Sequence, residues 1–186
     1  MLKEEHDSNN DGTIDAVETR SYDAKGQMIR KEKDSNNDNI RDEVWTYSYD
    51  ADGNMDKETY DLHNDGIFEK VCSYVYDGEG DLLQKECDDH NDGFIDEKWT
   101  YAYDTDGNLH TEGYDRNNDG ITDEMRTYTY VNGLLLREEY DWNNNGHADE
   151  AWVYIYDENG NLTMAEYDKN NDGIADDVTF YNWVQF

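Results

Sequence analysis

The chain has 186 residues, no proline, and 47 Asp and Glu against 15 Lys and Arg, for a formal net charge of −32. Such a surface repels nucleic acid, whose binding rests on Lys and Arg neutralising phosphate, and no apolar run is long enough for a membrane span or a signal peptide. Leu, Ile, Val and Phe make up only 29 residues, which with this charge is a composition typical of disorder, yet 16 Tyr and a strict internal period argue for order.

Residues 1–6, MLKEEH, match MDKETY at 55–60 and LHTEGY at 109–114, and read as the second strand of a hairpin. The nonapeptide DSNNDGTID follows at 7–15. After it come an alternating run, a Gly-centred turn at 24–27 and a second strand from Met28 that ends at the next nonapeptide. The alternation of aromatic with β-branched or small residues is clearest in VWTYSYD (44–50), KWTYAYD (98–104) and AWVYIYD (151–157), and it reads as a strand. Turns of the type ADGN (51–54), GEGD (78–81), TDGN (105–108) and ENGN (158–161) make each pair of runs a β-hairpin.

The nonapeptide returns as DSNNDNIRD at 34–42, DLHNDGIFE at 61–69, DDHNDGFID at 88–96, DRNNDGITD at 115–123, DWNNNGHAD at 141–149 and DKNNDGIAD at 168–176. Its first Asp recurs at steps of 27, 27, 27, 27, 26 and 27, the signature of a repeat architecture. The short step falls on the fifth hairpin, VNGL at 131–134, where a bulge or register adjustment is expected. Residues 178–186, VTFYNWVQF, match a first strand with no second. The expected architecture is all-β, a single array over 1–186 of tandem 27-residue hairpins in an antiparallel meander of 14 strands. Tight turns lie along one edge and the nonapeptides along the other. The half-units 1–6 and 178–186 are complementary, so they are expected either to close on each other or to pair between molecules by strand addition, unless the array was cut from a longer one.

Register follows from the repeats. The residue at position 12 from the start of each nonapeptide faces the residue just before the next one. The expected opposed pairs are Glu18/Lys33, Trp45/Tyr60, Cys72/Cys87, Trp99/Tyr114, Arg126/Tyr140 and Trp152/Tyr167. Salt, aromatic and cysteine pairs suit directly opposed neighbours. A disulfide between Cys72 and Cys87 is therefore expected, and with it an oxidising, extracellular or cell-surface location.

The nonapeptide reads as a calcium loop. Oxygen donors at positions 1, 3, 5 and 9 suit a hard cation, and position 7 adds its backbone carbonyl. The candidate ligands are Asp7, Asn9, Asp11 and Asp15 in the first loop, and Asp34, Asn36, Asp38 and Asp42 in the second. The third offers Asp61, His63, Asp65 and Glu69, and the fourth Asp88, His90, Asp92 and Asp96. The fifth offers Asp115, Asn117, Asp119 and Asp123, the sixth Asp141, Asn143, Asn145 and Asp149, and the seventh Asp168, Asn170, Asp172 and Asp176. Position 6 is the sharp corner. It is Gly six times and Asn39 once, as a backbone of positive φ requires. The loops carry 20 carboxylates at positions 1, 5 and 9, and seven Ca²⁺ ions would bring the net charge from −32 to −18. Mg²⁺ suits the loop less, because it holds its waters in tight octahedral geometry. His63 and His90 are poor ligands for a hard cation, and Asn145 removes a charge from the sixth loop, so these sites are expected to be weaker. Acids at position 10 (Glu43, Glu97, Glu124, Glu150 and Asp177) are placed to add an oxygen or to support the ligands.

The aromatic face of Trp45, Tyr47 and Tyr49 and its repeats reads first as core and second as a platform for sugar rings. Asn161-Leu162-Thr163 is an N-glycosylation sequon. No residue set is arranged for catalysis, so an enzyme is not expected.

The nonapeptides resemble the calcium loops of thrombospondin type-3 repeats, dockerins and the FG-GAP hairpins of integrin propellers. The FG-GAP resemblance implies ligation by Asp115, Asn117, Asp119, the Ile121 carbonyl and Asp123, and by the same positions elsewhere. They are not EF-hands, which place a Glu at position 12 and continue as a helix. Here position 12 is Glu only at Glu18. Around the loops, TYSYDADGNM (46–55) and TYAYDTDGNL (100–109) resemble the YD repeats of RHS-type proteins, which form closed shells. This chain departs from them by its nine-residue loop in every unit. Together these readings lead to a calcium-stabilised extracellular structural repeat, part of a fibre, stalk or adhesin. A carbohydrate-binding module and a soluble calcium buffer are the alternatives.

Overall fold

The structure is a computed structural model that describes residues 1–183. Its strands are β1 (Leu2–His6), β2 (Ala16–Tyr22), β3 (Met28–Asp34), β4 (Glu43–Tyr49), β5 (Met55–Asp61), β6 (Lys70–Tyr76) and β7 (Leu82–Asp88). They continue as β8 (Glu97–Tyr103), β9 (Leu109–Asp115), β10 (Glu124–Val131), β11 (Leu134–Asp141), β12 (Glu150–Tyr156), β13 (Leu162–Asp168) and β14 (Asp177–Phe180). The order in the sheet is the order in the chain, a 14-stranded antiparallel meander with no helix among the described residues. By contacts the chain divides into two compact units, Met1–Glu97 and Lys98–Phe186.

The six expected opposed pairs are the observed ones. Glu18 faces Lys33, Trp45 faces Tyr60 and Cys72 faces Cys87 in the first unit. Trp99 faces Tyr114, Arg126 faces Tyr140 and Trp152 faces Tyr167 in the second. Cys72 and Cys87 are joined by a disulfide.

The fifth hairpin carries the expected register adjustment, though not as a feature of its own. Its register does shift, between Thr129 and Tyr130. The same shift occurs in the other hairpins, at Ser21/Tyr22, Ser48/Tyr49, Val75/Tyr76, Ala102/Tyr103 and Ile155/Tyr156. The bulge is thus a feature of the repeat, and the missing residue is absorbed in the turn. Asn132 and Gly133 both take positive φ, 53° and 76°, as in a two-residue type I′ turn. The other turns are longer and are built on an Asp. Asp50 donates its N–H to the Asn54 carbonyl at 2.8 Å, while its Oδ1 accepts the N–H groups of Gly53 and Asn54, both at 2.8 Å. Those hydrogen bonds, with the Asn54 backbone the largest cause, hold the Asp50 carboxyl below its ordinary pKa. The tyrosine before the turn ties one hairpin to the previous one: Tyr49 donates its hydroxyl to the Met28 carbonyl, and Tyr156 to that of Leu135, each at 2.8 Å.

The end segments differ in how far they follow the repeat. β1 pairs with β2 as a second strand should. β14 pairs with β13 only over Asp177–Phe180, and the last three residues of the expected strand, 184–186, lie outside the described residues.

The buried interior is thin. Among the described residues, Val17, Val44, Cys72, Cys87, Ala151 and Ala165 are the buried apolar ones, and Thr19 and Thr59 are buried polar neighbours. Trp45, Tyr47, Tyr49 and their repeats are half-buried. The largest conspicuous group of buried polar side chains is Asp34, Asp61, Asp88, Asp115, Asp141 and Asp168, the first residues of six loops.

Candidate metal centres

The fifth loop shows how the nonapeptide folds. The chain leaves β9 at Asp115 and reverses through positive φ at Asn118 (50°) and Gly120 (87°). Asp115 Oδ1 accepts the N–H of Asp119 at 3.2 Å, and Oδ2 accepts that of Gly120 at 2.9 Å. Asn117 Oδ1 accepts the Asp119 N–H at 3.2 Å, and Asp119 Oδ1 accepts the N–H of Ile121 at 2.9 Å. Asp123 Oδ2 accepts the Arg116 N–H at 2.8 Å, and the Asp123 N–H closes the loop onto the Tyr114 carbonyl, also at 2.8 Å. Each oxygen-bearing side chain thus holds the loop backbone, as short polar side chains do in turns.

The pattern repeats. Oδ2 of the first Asp takes the N–H of position 6 in every loop: Gly12 from Asp7, Asn39 from Asp34, Gly66 from Asp61 and Gly93 from Asp88, then Gly146 from Asp141 and Gly173 from Asp168. Asn39, at φ 68°, takes the corner as glycine does elsewhere. At Asp88 burial pushes the carboxyl pKa up, but the N–H groups of Gly93, Asp92, His90 and Asn91 outweigh it and hold it low. Asp11 is held low by the backbone N–H of Thr13. Both carboxylates therefore keep their charge well into mild acid.

Among the described residues, no group of three or more His, Cys, Asp or Glu side chains is placed to hold a metal ion. The donor set is broader than those residue types, because it includes Asn at position 3 and a backbone carbonyl at position 7. Its chemistry is all oxygen in five loops, which fits a hard divalent cation. The side chains of Ile40, Ile67, Phe94, Ile121 and Ile174 at position 7 point into solvent. His63 Nδ1 lies 3.5 Å from Glu69 Oε1, and His90 Nδ1 lies 3.6 Å from Asp96 Oδ2, so each loop with a His at position 3 brings it to its own position-9 acid. Beneath the fifth loop is a polar recess of about 180 Å³ against Asp115, Asn118 and Gly120. The sixth loop has its counterpart, about 240 Å³, against Asp141, Asn144 and Gly146.

No protein-family model matches the chain, and no curated protein matches it. Among solved structures it is similar to TcdB2-TccC3 without its hypervariable C-terminal region, at 16% identity and a TM-score of 0.47, over 91% of this chain and 10% of that one. It is similar to the Photorhabdus luminescens Tc holotoxin pore carrying a TccC3 mutation, at 15% identity and a TM-score of 0.41, over 81% of this chain and 9% of that one. A porin-like protein from Bacteroides uniformis has 13% identity and a TM-score of 0.44, over 89% of both chains. The chain thus spans about a tenth of the length of the first two.

Two groups of residues do something the sequence reading missed. Two of the position-10 acids, Glu43 and Glu150, bond to aromatic side chains. Glu43 accepts hydrogen bonds from Lys33 (3.2 Å) and the Tyr60 hydroxyl (2.9 Å), and Glu150 from Tyr167 (2.6 Å) and Trp142 Nε1 (3.1 Å). Strand alternation carries this signal, since Glu43 shares its face with Trp45. The other group is the Asn at position 4. Asn37 Nδ2 donates to the Ile14 carbonyl in the preceding loop at 2.9 Å. In the second unit Asn144 Nδ2 reaches the Thr122 carbonyl at 2.9 Å and Asn171 Nδ2 the Ala148 carbonyl at 3.2 Å. The signal available was the recurrence of Asn at this position in all seven loops.

Proposed function

We propose that the chain is an extracellular structural repeat whose hairpins are hardened by calcium, serving as a segment of a fibre, stalk or adhesin. The observation that carries this reading is the sevenfold recurrence of one oxygen-rich loop at the same point of the hairpin repeat, its first Asp holding the corner N–H each time. The thin interior supports it. A sheet with six buried apolar side chains among its described residues gains little from hydrophobic burial, and its 20 loop carboxylates repel one another. A divalent cation in each loop would relieve that repulsion and fix the long connections. The Cys72–Cys87 disulfide supports an oxidising, extracellular setting.

In each loop the side chains of positions 1, 3, 5 and 9 and the carbonyl of position 7 would hold the ion, which supplies positive charge and cross-linking. Because the folded chain offers these sites and the unfolded chain does not, each site at 100 times its Kd adds about 2.7 kcal/mol to stability. The test is circular dichroism and thermal melting in excess calcium and in excess EDTA. A large fall in Tm on chelation is expected. Superimposable melting curves would overturn the reading.

A further inference from the structure

We propose that the three loops of the second unit, 115–123, 141–149 and 168–176, fill with calcium cooperatively, and that Asn144 and Asn171 transmit the coupling. The inference rests on the calcium reading above and names how those sites are regulated.

The geometry is a relay between neighbouring loops. Asn144, held at φ 46°, sends its amide Nδ2 across to the Thr122 carbonyl at 2.9 Å. Asn171, at φ 50°, does the same to the Ala148 carbonyl at 3.2 Å. The Asn171 amide is locked from its other end, because its Oδ1 accepts a 2.7 Å hydrogen bond from Arg137 Nη2. In both cases the acceptor is the position-8 carbonyl. It lies between the position-7 carbonyl and the position-9 carboxylate, two of the proposed ligands. An ion that fixes positions 7 and 9 of one loop therefore also fixes the acceptor for the next loop's Asn. That Asn sits between positions 3 and 5, two ligands of its own loop. Order gained in one loop reduces what the next must lose on binding, and linkage makes the effect mutual.

The middle loop is the one that needs help. It carries Asn145 where the other loops carry Asp, and it is the loop joined on both sides. One net hydrogen bond per junction corresponds to a change of about fivefold in affinity. Coupled to two neighbours, loop 141–149 should fill together with them in spite of its missing charge.

The experiment is a calcium titration of the full chain followed by amide NMR, reading Gly120, Gly146 and Gly173 as one reporter per loop. The double variant N144G/N171G removes both amides. Glycine keeps the positive φ without strain, so the loop backbones stay as they are. In the unsubstituted chain the three reporters should titrate with a common midpoint and a slope steeper than independent binding. In the double variant the Gly146 midpoint should move to at least about fivefold higher calcium, and N144G alone should give part of that shift. A Gly146 midpoint already displaced in the unsubstituted chain, or one unmoved by the variants, overturns the coupling and leaves calcium binding standing. Reporters that do not respond to calcium in any loop overturn both.

Discussion

Cys72 and Cys87 stand directly opposite each other in the β6–β7 hairpin, their Cα atoms 4.1 Å apart, bridged and almost completely buried. The bridge closes a segment with a sequence separation of 15 residues, for which the loop-entropy argument gives about 3 kcal/mol of stabilisation. The double variant Cys72→Ala/Cys87→Ala should therefore lose roughly that amount in urea unfolding. Because the bridge is shielded, thiol labelling after addition of a reductant should be slow in the folded chain and fast in urea. Rapid labelling of the folded protein would contradict the packing.

Gly120 and Asn39 occupy the same corner of two loops, at φ 87° and 68°. A Cβ added at Gly120 would meet nothing within 4 Å, so a substitution there probes the backbone alone. Gly120→Ala should cost about 1–2 kcal/mol from the left-handed conformation, and Gly120→Asn clearly less, because Asn visits that region readily. Chemical denaturation of the two variants, with calcium held constant, measures the difference. Equal losses would mean that the corner is not the source of strain.

Strand register was legible because each repeat writes it twice: the third residue after a loop and the residue preceding the next loop are chemically matched, as in Trp45/Tyr60 and Cys72/Cys87. The position of the bulge was not legible. A shift present in every hairpin leaves no irregularity in the period, and only the deviant fifth turn drew attention to itself. The loop-to-loop contacts were hidden for another reason. Asn37 donates to a backbone carbonyl 23 residues away, and a carbonyl has no side-chain signature. The bonds of Glu43 to Tyr60 and of Glu150 to Tyr167 were readable from strand alternation, which puts each acid on the face of the nearby tryptophan.

Trp45 is flanked from both neighbouring strands. Its ring stacks on Tyr60 with centroids 5.0 Å apart, and the Lys31 ammonium lies 4.2 Å over it. Trp152 is likewise stacked on Tyr154 and Tyr167. A double-mutant cycle on Trp45→Ala and Tyr60→Ala should return a coupling of about 1 kcal/mol, the value of a well-placed aromatic pair. Rings engaged in this way offer little free face for a sugar, so a glycan array probed with the chain should stay blank. Binding abolished by Trp45→Ala would restore the carbohydrate reading.

The tyrosines make the fold sensitive to alkali. Burial, reinforced by a nearby glutamate in each case, pushes Tyr47, Tyr60, Tyr101 and Tyr128 up to about 12 from an ordinary value of 10.0. Burial and Glu138 push Tyr140 and Tyr154 upward as well. Between pH 10 and about 12 the unfolded chain gives up phenolic protons that the folded chain retains. The unfolded state then binds fewer protons, so stability falls as pH rises across that window, whereas below pH 10 the contribution is fully present. Tyrosinate absorbance should show one group of phenols titrating near pH 10 and a second group delayed, with loss of strand signal accompanying the second. Glu43→Gln should shift Tyr60 toward the earlier group without merging it, because it removes the carboxylate that accepts the phenol at 2.9 Å while the burial that contributes most stays in place. A single titration step at the ordinary value, with the sheet intact throughout, would show that these hydroxyls are not held as described.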